Sequence, residues 1–242
     1  MPRRRLDVLL VERGLFESRA KARAAIEAGG VTVDDRAASR ASDMVEEAAA
    51  IVAEAAHPWV GRGALKLDHA LTLWAVPVEG RVVLDVGAST GGFTEVCLSR
   101  GAARVHAVDV GRGQLHPRLR ADPRVNDLQA VDARALDRSL IPEPVDLVVC
   151  DASFIGLAKV LPAALALAAP GADLIALVKP QFEAGRAAVG KGGLVKDEAD
   201  RLRALESVRA FLEGAGWRVE DTAVSPILGG DGAEEYLIWA RL

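Results

Sequence analysis

Four short apolar runs constrain this chain more than any other feature: RVVLDVG at 81–87, RVHAVDV at 104–110, VDLVVCD at 145–151 and DLIALVK at 173–179. Continuous rather than alternating apolar residues mark strands buried on both faces, as in parallel sheets covered by helices. Helical segments are predicted at 91–100, 156–168 and 198–213, and a last strand at 235–240 follows a turn rich in glycine and proline at 225–232. The pattern predicts a doubly wound α/β sheet, whose ligands sit at the carboxyl ends of the strands. No internal repeat interrupts it. Half of the 242 residues are hydrophobic, enough to bury a sizeable core.

The composition also excludes several classes. Two cysteines, Cys97 and Cys150, cannot build a disulfide framework, and nothing near them has metal-ligand spacing. A reducing, cytoplasmic setting without a metal site is therefore expected. The first residues, MPRRRLDVLLVERG, are basic, but their apolar run breaks at Glu12 and Arg13, unlike a signal peptide. No stretch approaches the roughly 18 continuous apolar residues of a membrane span. A soluble protein with no membrane partner is expected.

The net charge of −4 hides an asymmetry. Residues 1–25 hold seven Lys and Arg against three acids, whereas the rest of the chain is acidic. A basic end on an acidic body suggests a polyanion-facing module, although a charged solvated helix face would look the same. Leu6, Leu9 and Leu10 have helical spacing up to Gly14, and Ser18 is placed to cap a second helix running through Ile26 and stopped by Gly29 and Gly30. Arg19 and Arg23, four apart, share one face of that helix. Val31 and Val33 then alternate with polar residues before a turn at Asp34 and Asp35.

Ser18-Arg19 leading the second helix, then the Gly-x-Val-x-Val-Asp of residues 29–34, resembles the S4 RNA-binding domain, over about 50 residues. The resemblance implies a small α+β domain presenting basic side chains, here Arg4, Arg19 and Arg23, to structured RNA. Phosphate contacts of that kind position a protein without reading sequence, and Phe16 alone cannot support serial base stacking. The predicted division is an S4-like domain at 1–56, a linker at 57–62 around Pro58 and Trp59, and a larger domain at 63–242.

The first strand of the larger domain ends in the loop Asp85, Val86, Gly87, Ala88, Ser89, Thr90, Gly91, Gly92, Phe93. Its glycines let the backbone approach a ligand, and the helix after it offers free amides. A nicotinamide enzyme would show G-x-G-x-x-G here. The Gly-x-Ser-x-Gly-Gly found instead resembles motif I of S-adenosylmethionine (SAM) methyltransferases. That likeness implies a Rossmann-like methyltransferase sheet with SAM held by Asp85, Gly87, Ser89, Gly91, Gly92 and Phe93. Asp109, ending the second strand, would accept from ribose hydroxyls, and Asp132, following the third, would bind the adenine amine.

Asp151 and Lys179 each follow a buried strand directly and so reach the same sheet edge as the loop. Lys66 precedes the first strand, and Glu235, with Glu234 as a rival, begins the last. Together Lys66, Asp151, Lys179 and Glu235 resemble the Lys-Asp-Lys-Glu tetrad of FtsJ-like ribose 2′-O-methyltransferases. The strings GRGALKL, LDVGASTGGFTEVCLSRGA, VDVGRGQL, DLVVCDASFI, LVKPQFE and EEYLIWARL are similar to the TlyA family, also labelled haemolysin A. That family joins an S4 domain to an FtsJ-like domain and methylates ribose 2′-hydroxyls of ribosomal RNA. Its pattern selects Glu235, the acid directly before the aromatic. The resemblance implies rRNA or ribosomal subunits as partners and a cytidine as target. Large-subunit RNA is the expected substrate and small-subunit RNA the second; the extension that some members carry beyond the last strand is not seen after Leu242, so the resemblance does not extend to both subunits as substrates.

Lys179 is the expected proton acceptor, with pure positioning by all four residues as the alternative. Phe154, three residues beyond Asp151, either stacks on a base turned out of its helix or packs under the site. Residues 180–196, with Arg186 and Lys191, are expected to form a basic loop bordering RNA. A non-catalytic RNA-binding factor and a cytolysin are the competing classes.

Overall fold

In the computed structural model, which describes residues 2–185, 188–190, 192–229 and 232–242, the chain divides into two units, Met1–Pro58 and Trp59–Leu242. In the smaller unit, β1 (Arg3–Arg5) leads directly into α1 (Leu6–Glu12), and α2 (Arg19–Glu27) follows. Ser18 caps α2 by accepting from the Lys21 amide at 3.3 Å. The strands β2 (Val31–Val33), β3 (Arg36–Ala37) and β5 (Ile51–Ala53) form one sheet, while β4 (Met44–Glu46) pairs antiparallel with β1. Asp34 and Asp35 both have positive φ, 48° and 62°, as a two-residue hairpin turn requires. Leu6, Leu10, Phe16, Ala22, Ile26 and Val31 close a small core. The sequence pattern marks only one of these five strands, because runs of two or three residues leave no readable period.

The larger unit contains α3 (Ala64–Leu73), β6 (Val82–Val86), α4 (Gly92–Ser99), β7 (Arg104–Asp109), α5 (Pro117–Arg120), β8 (Val125–Gln129) and β9 (Val145–Cys150). It continues through α6 (Leu157–Val160), α7 (Pro162–Leu165), β10 (Ala168–Val178), α8 (Pro180–Glu183), α9 (Glu198–Gly214), β11 (Arg218–Val224) and β12 (Tyr236–Arg241). The seven strands lie in the order β11-β12-β10-β9-β6-β7-β8, and only β12 runs against the rest. The predicted doubly wound sheet is therefore present. β6 neighbours both β7 and β9, so the winding reverses there and a crevice opens at the carboxyl ends of β6 and β9.

The period of two along β9 and β10 sends Val148, Cys150, Leu174 and Ala176 to the face covered by α9. Leu147, Val149, Ile175 and Leu177 go to the face covered by α3 and α4. Trp59 and Val60, inside the expected linker segment, pack into this second core.

Two expectations change. The helix expected at 156–168 is broken into α6 and α7 at Pro162, which has no amide to continue the first helix. The next strand begins at Ala168, with a register shift before Asp173. Among the described residues, no helix is long and apolar enough to cross a membrane.

Candidate active site

The loop between β6 and α4 turns sharply over the sheet edge. Gly87 has φ 85°, and a Cβ there would come within 2.9 Å of Ala152 Cα, so both conformation and space require glycine. Asp109, ending β7, fixes the loop from the side. Its Oδ2 accepts from the Ser89 amide at 2.8 Å and its Oδ1 from the Gly111 amide at 2.7 Å. A cavity of about 480 Å³ opens here, lined by Gly87, Ser89, Asp109, Val110, Asp132 and Phe154 among others.

Asp132 borders this cavity but is not free. It caps the turn after β8 by accepting from the Arg134 amide at 3.0 Å, and its Oδ2 lies 2.5 Å from Arg134 Nη2. The Arg134 guanidinium holds its carboxyl down to about 2.

Asp85 does not line the cavity, which corrects its expected place among the cofactor contacts. The strand alternation points it toward α4, fully buried beneath the loop. Its Oδ2 accepts from Thr94 Oγ1 at 2.7 Å, and its Oδ1 has no partner among the described residues. Burial pushes its carboxyl up to about 7, the Thr94 hydrogen bond opposing and the negative Asp151 and Asp109 adding. Gly91, with φ 97°, also stands outside the cavities, where it starts α4. Gly92 and Phe93 instead line a second cavity of about 220 Å³, beside Gly87, Asp151 and Lys179.

The four tetrad candidates come together around a third cavity, of about 280 Å³. Lys66, on α3, and Glu235, just before β12, form a buried pair with Nζ to Oε2 at 2.5 Å; they are 6% and 3% exposed. Lys179, after β10, faces Asp151, after β9, with Nζ to Oδ1 at 2.7 Å. That contact is not aligned as a hydrogen bond. The directed bonds of Nζ go to Ser153 Oγ at 2.7 Å and to the Asp151 carbonyl at 3.1 Å. The rival Glu234 is engaged elsewhere, by Arg201 at 3.0 Å and the Tyr236 hydroxyl at 2.9 Å.

All three cavities meet at Asp151 and Ser153. Sequence reasoning missed Ser153, whose only signal was its place two residues after Asp151. It also missed Arg62 and Gln181 on the rim. Phe154 is 91% exposed, with φ 67° and its ring centroid 5.3 Å from that of Phe182. It therefore does not pack beneath the site. A left-handed bulky aromatic is strained, and such strain persists where the surroundings over-determine it.

In the smaller unit, the expected RNA contacts are all engaged in ion pairs. Arg4 lies 2.6 Å from Glu47, Arg19 2.7 Å from Asp7 and Arg23 2.7 Å from Glu27. Arg186 and Lys191 lie outside the described residues.

Residues 59–242 match the FtsJ-like methyltransferase family, and residues 4–51 match the S4 domain. A 16S/23S rRNA (cytidine-2′-O)-methyltransferase, TlyA, of Mycobacterium tuberculosis is 47% identical over 241 residues, 99% of this chain and 90% of that protein. A solved structure from Streptococcus thermophilus, provisionally named a hemolysin, is 37% identical with a TM-score of 0.78, covering 100% of this chain and 89% of that one. At 18% identity, the fold of the larger unit recurs in an S-adenosylmethionine-dependent methyltransferase from Mesorhizobium loti. Its TM-score is 0.52, over 72% of this chain and 96% of that one.

Proposed function

This chain belongs to the FtsJ-like methyltransferases and carries an S4 domain, and on that premise we propose that it methylates a ribose 2′-hydroxyl of ribosomal RNA. The observation that carries the reading is the meeting of two acid–lysine pairs, Lys66 with Glu235 and Asp151 with Lys179, around one cavity that joins the loop cavity at Asp151. The named activity of the Mycobacterium tuberculosis relative supports a cytidine as target, in the RNA of the large subunit, the small subunit or both.

The site fits S-adenosylmethionine. Gly87 leaves a cradle that a Cβ would fill, and Asp109 has lone pairs beyond the two used by Ser89 and Gly111. When bound, S-adenosylmethionine supplies a methyl group on a cationic sulfur. Gly87, Ser89 and Asp109 would hold it from the β6 and β7 side, with Gly92 and Phe93 across the adjoining cavity. Asp132 and Arg134 would act together at the nucleoside end.

The residues of the chain do the rest. A sugar hydroxyl is a weak acid, so its attack needs a base at hydrogen-bond distance. Lys179 Nζ is placed to take the 2′-hydroxyl proton, with Asp151 and Ser153 fixing its position. Lys66 and Glu235 keep the nucleotide in line, and holding reacting groups in near-attack geometry lowers the barrier further. Phe154, beside the site and exposed, offers a face to the target base.

Incubation with labelled S-adenosylmethionine and separated ribosomal subunits tests the reading. Label should appear in RNA with the wild type and be lost with Lys179→Ala. Binding of S-adenosylmethionine without transfer to either subunit would instead fit an RNA-binding factor on an inactive methyltransferase fold.

A further inference from the structure

The smaller unit buries an acid among arginines. Asp7, at the start of α1, is 4% exposed, and both of its carboxylate oxygens are taken by arginines. Arg5 binds in fork geometry, Nε to Oδ1 at 3.0 Å and Nη2 to Oδ2 at 3.1 Å. Arg19 adds Nε and Nη2, both to Oδ2, at 3.0 and 2.7 Å. These pairs, Arg5 foremost, hold the Asp7 carboxyl down to about 2, so it stays charged throughout the working pH range.

What the arginines do with their other edges is the informative part. Each spends its Nε side on Asp7, and among the described residues neither Nη1 donates to a protein group. The side chains of Arg5 and Arg19 remain 46% and 60% exposed. Both line a groove of about 590 Å³, together with Ser39 and Arg40. The segment after Arg40 is fixed in place. The Leu6 amide donates to the Asp43 carbonyl at 2.8 Å and the Asp7 amide to the Ala41 carbonyl at 3.0 Å, tying residues 41–43 to the start of α1. The Arg40 side chain is exposed.

We propose that Asp7 is a positioning residue for RNA: its buried carboxylate holds the Arg5 and Arg19 guanidinium groups, presenting their outer nitrogens, with Arg40 in the same groove, to a backbone phosphodiester. This rests on the reading that the S4 domain binds ribosomal RNA. Free arginines lose rotamer freedom when they grip a phosphate. Arginines already clamped in a fork have less to lose, and two convergent planar donors match the phosphate oxygens.

Positioning and simple charge make opposite predictions. Asp7→Asn keeps the shape and raises the net charge of the groove by one. If attraction to RNA only counted charges, the variant would bind more tightly. If Asp7 positions the arginines, it binds more weakly.

The test is equilibrium binding of the full-length protein to purified large ribosomal subunits over a series of potassium chloride concentrations. With Asp7→Asn, the dissociation constant should rise about tenfold, the cost of one charge-assisted contact, and the salt slope should fall by about one phosphate. A merely structural role would leave the slope unchanged. Arg40→Gln, an exposed change that spares the fold, should weaken binding several-fold and lower the slope likewise.

An equal or tighter dissociation constant for a folded Asp7→Asn, judged by its thermal unfolding, overturns the proposal. If that variant does not fold, Arg40→Gln decides, and unchanged binding and slope overturn it. Failure of the underlying reading looks different: the wild type itself would then bind subunits weakly and without salt dependence, and both ideas would fall.

Discussion

Changing Lys66 to Met separates what the buried Lys66–Glu235 pair does for stability from what it does for catalysis. Both side chains are under a tenth exposed and stand 2.5 Å apart, so removing the ammonium leaves the Glu235 carboxylate buried without its cation. Breaking one half of such a pair costs about 3–5 kcal/mol. At roughly 2–4 °C per kcal/mol for a unit of this size, the unfolding transition of the larger unit should fall by about 6–20 °C. In Lys66→Met/Glu235→Leu no charge is left behind, and apolar replacement of a buried pair is often neutral or stabilising by about 1–4 kcal/mol. The double variant should therefore regain most of the melting temperature and none of the activity, because neither polar group remains to hold the nucleotide. Calorimetry paired with single-turnover methylation, below the lowest transition, reads both quantities. A single variant melting within about 2 °C of wild type would refute the buried-pair energetics, by the same scaling. Wild-type transfer in the double variant would make the pair purely structural.

Lys179→Ala should lower single-turnover transfer by about 10²–10⁴-fold, the usual worth of a general base, and Lys179→Arg should be nearly as slow because arginine stays protonated. Substantial activity in the Arg variant would leave Lys179 a positioning group. Asp109→Ala should weaken S-adenosylmethionine binding about tenfold or more by calorimetric titration, since it removes acceptors from the ligand and from the Ser89 and Gly111 amides. An unchanged dissociation constant would misplace the cofactor. For Asp85, raised to about 7, the folded state keeps a proton that the unfolded chain has released above the ordinary carboxylate range. Stability therefore falls as pH rises toward 7, and Asp85→Asn should gain in melting temperature relative to wild type between pH 5 and pH 8. A difference that does not grow with pH would mean that Asp85 titrates normally.

The central strands of the larger unit were legible because β6, β7, β9 and β10 are apolar on both faces. The edge strands β8, expected before Asp132 but without bounds, and β11 are not delimited by the pattern, since VNDLQ and RVEDTAV are half-exposed and carry polar residues on both sides. Pro162 is visible in the sequence and breaks the helix expected across 156–168, and the strand after it starts earlier, at Ala168, than the apolar run at 173–179 suggests. At the site, Asp151 and Lys179 could be placed from their positions after buried strands. Asp85 could not, because a residue in a strand faces either the crevice or the core, and only the register of β6 against its neighbours decides which. Lys66 and Glu235 lie 169 residues apart, and no local pattern shows that α3 brings one onto the other. The arginines of the smaller unit were visible as charges, while their partners, Asp7 above all, emerged only when α1 and α2 packed together.

The most direct test of ribose methylation is the position of the methyl group itself. Large and small ribosomal subunits are incubated with the protein and S-adenosylmethionine carrying a labelled methyl, the RNA is digested to nucleosides, and the labelled nucleoside is fragmented by mass spectrometry to place the label on sugar or base. A tetrad acting on a 2′-hydroxyl predicts label on the ribose of cytidine, absent with Lys179→Ala. Label on a base, or in RNA equally with wild type and Lys179→Ala, would contradict it.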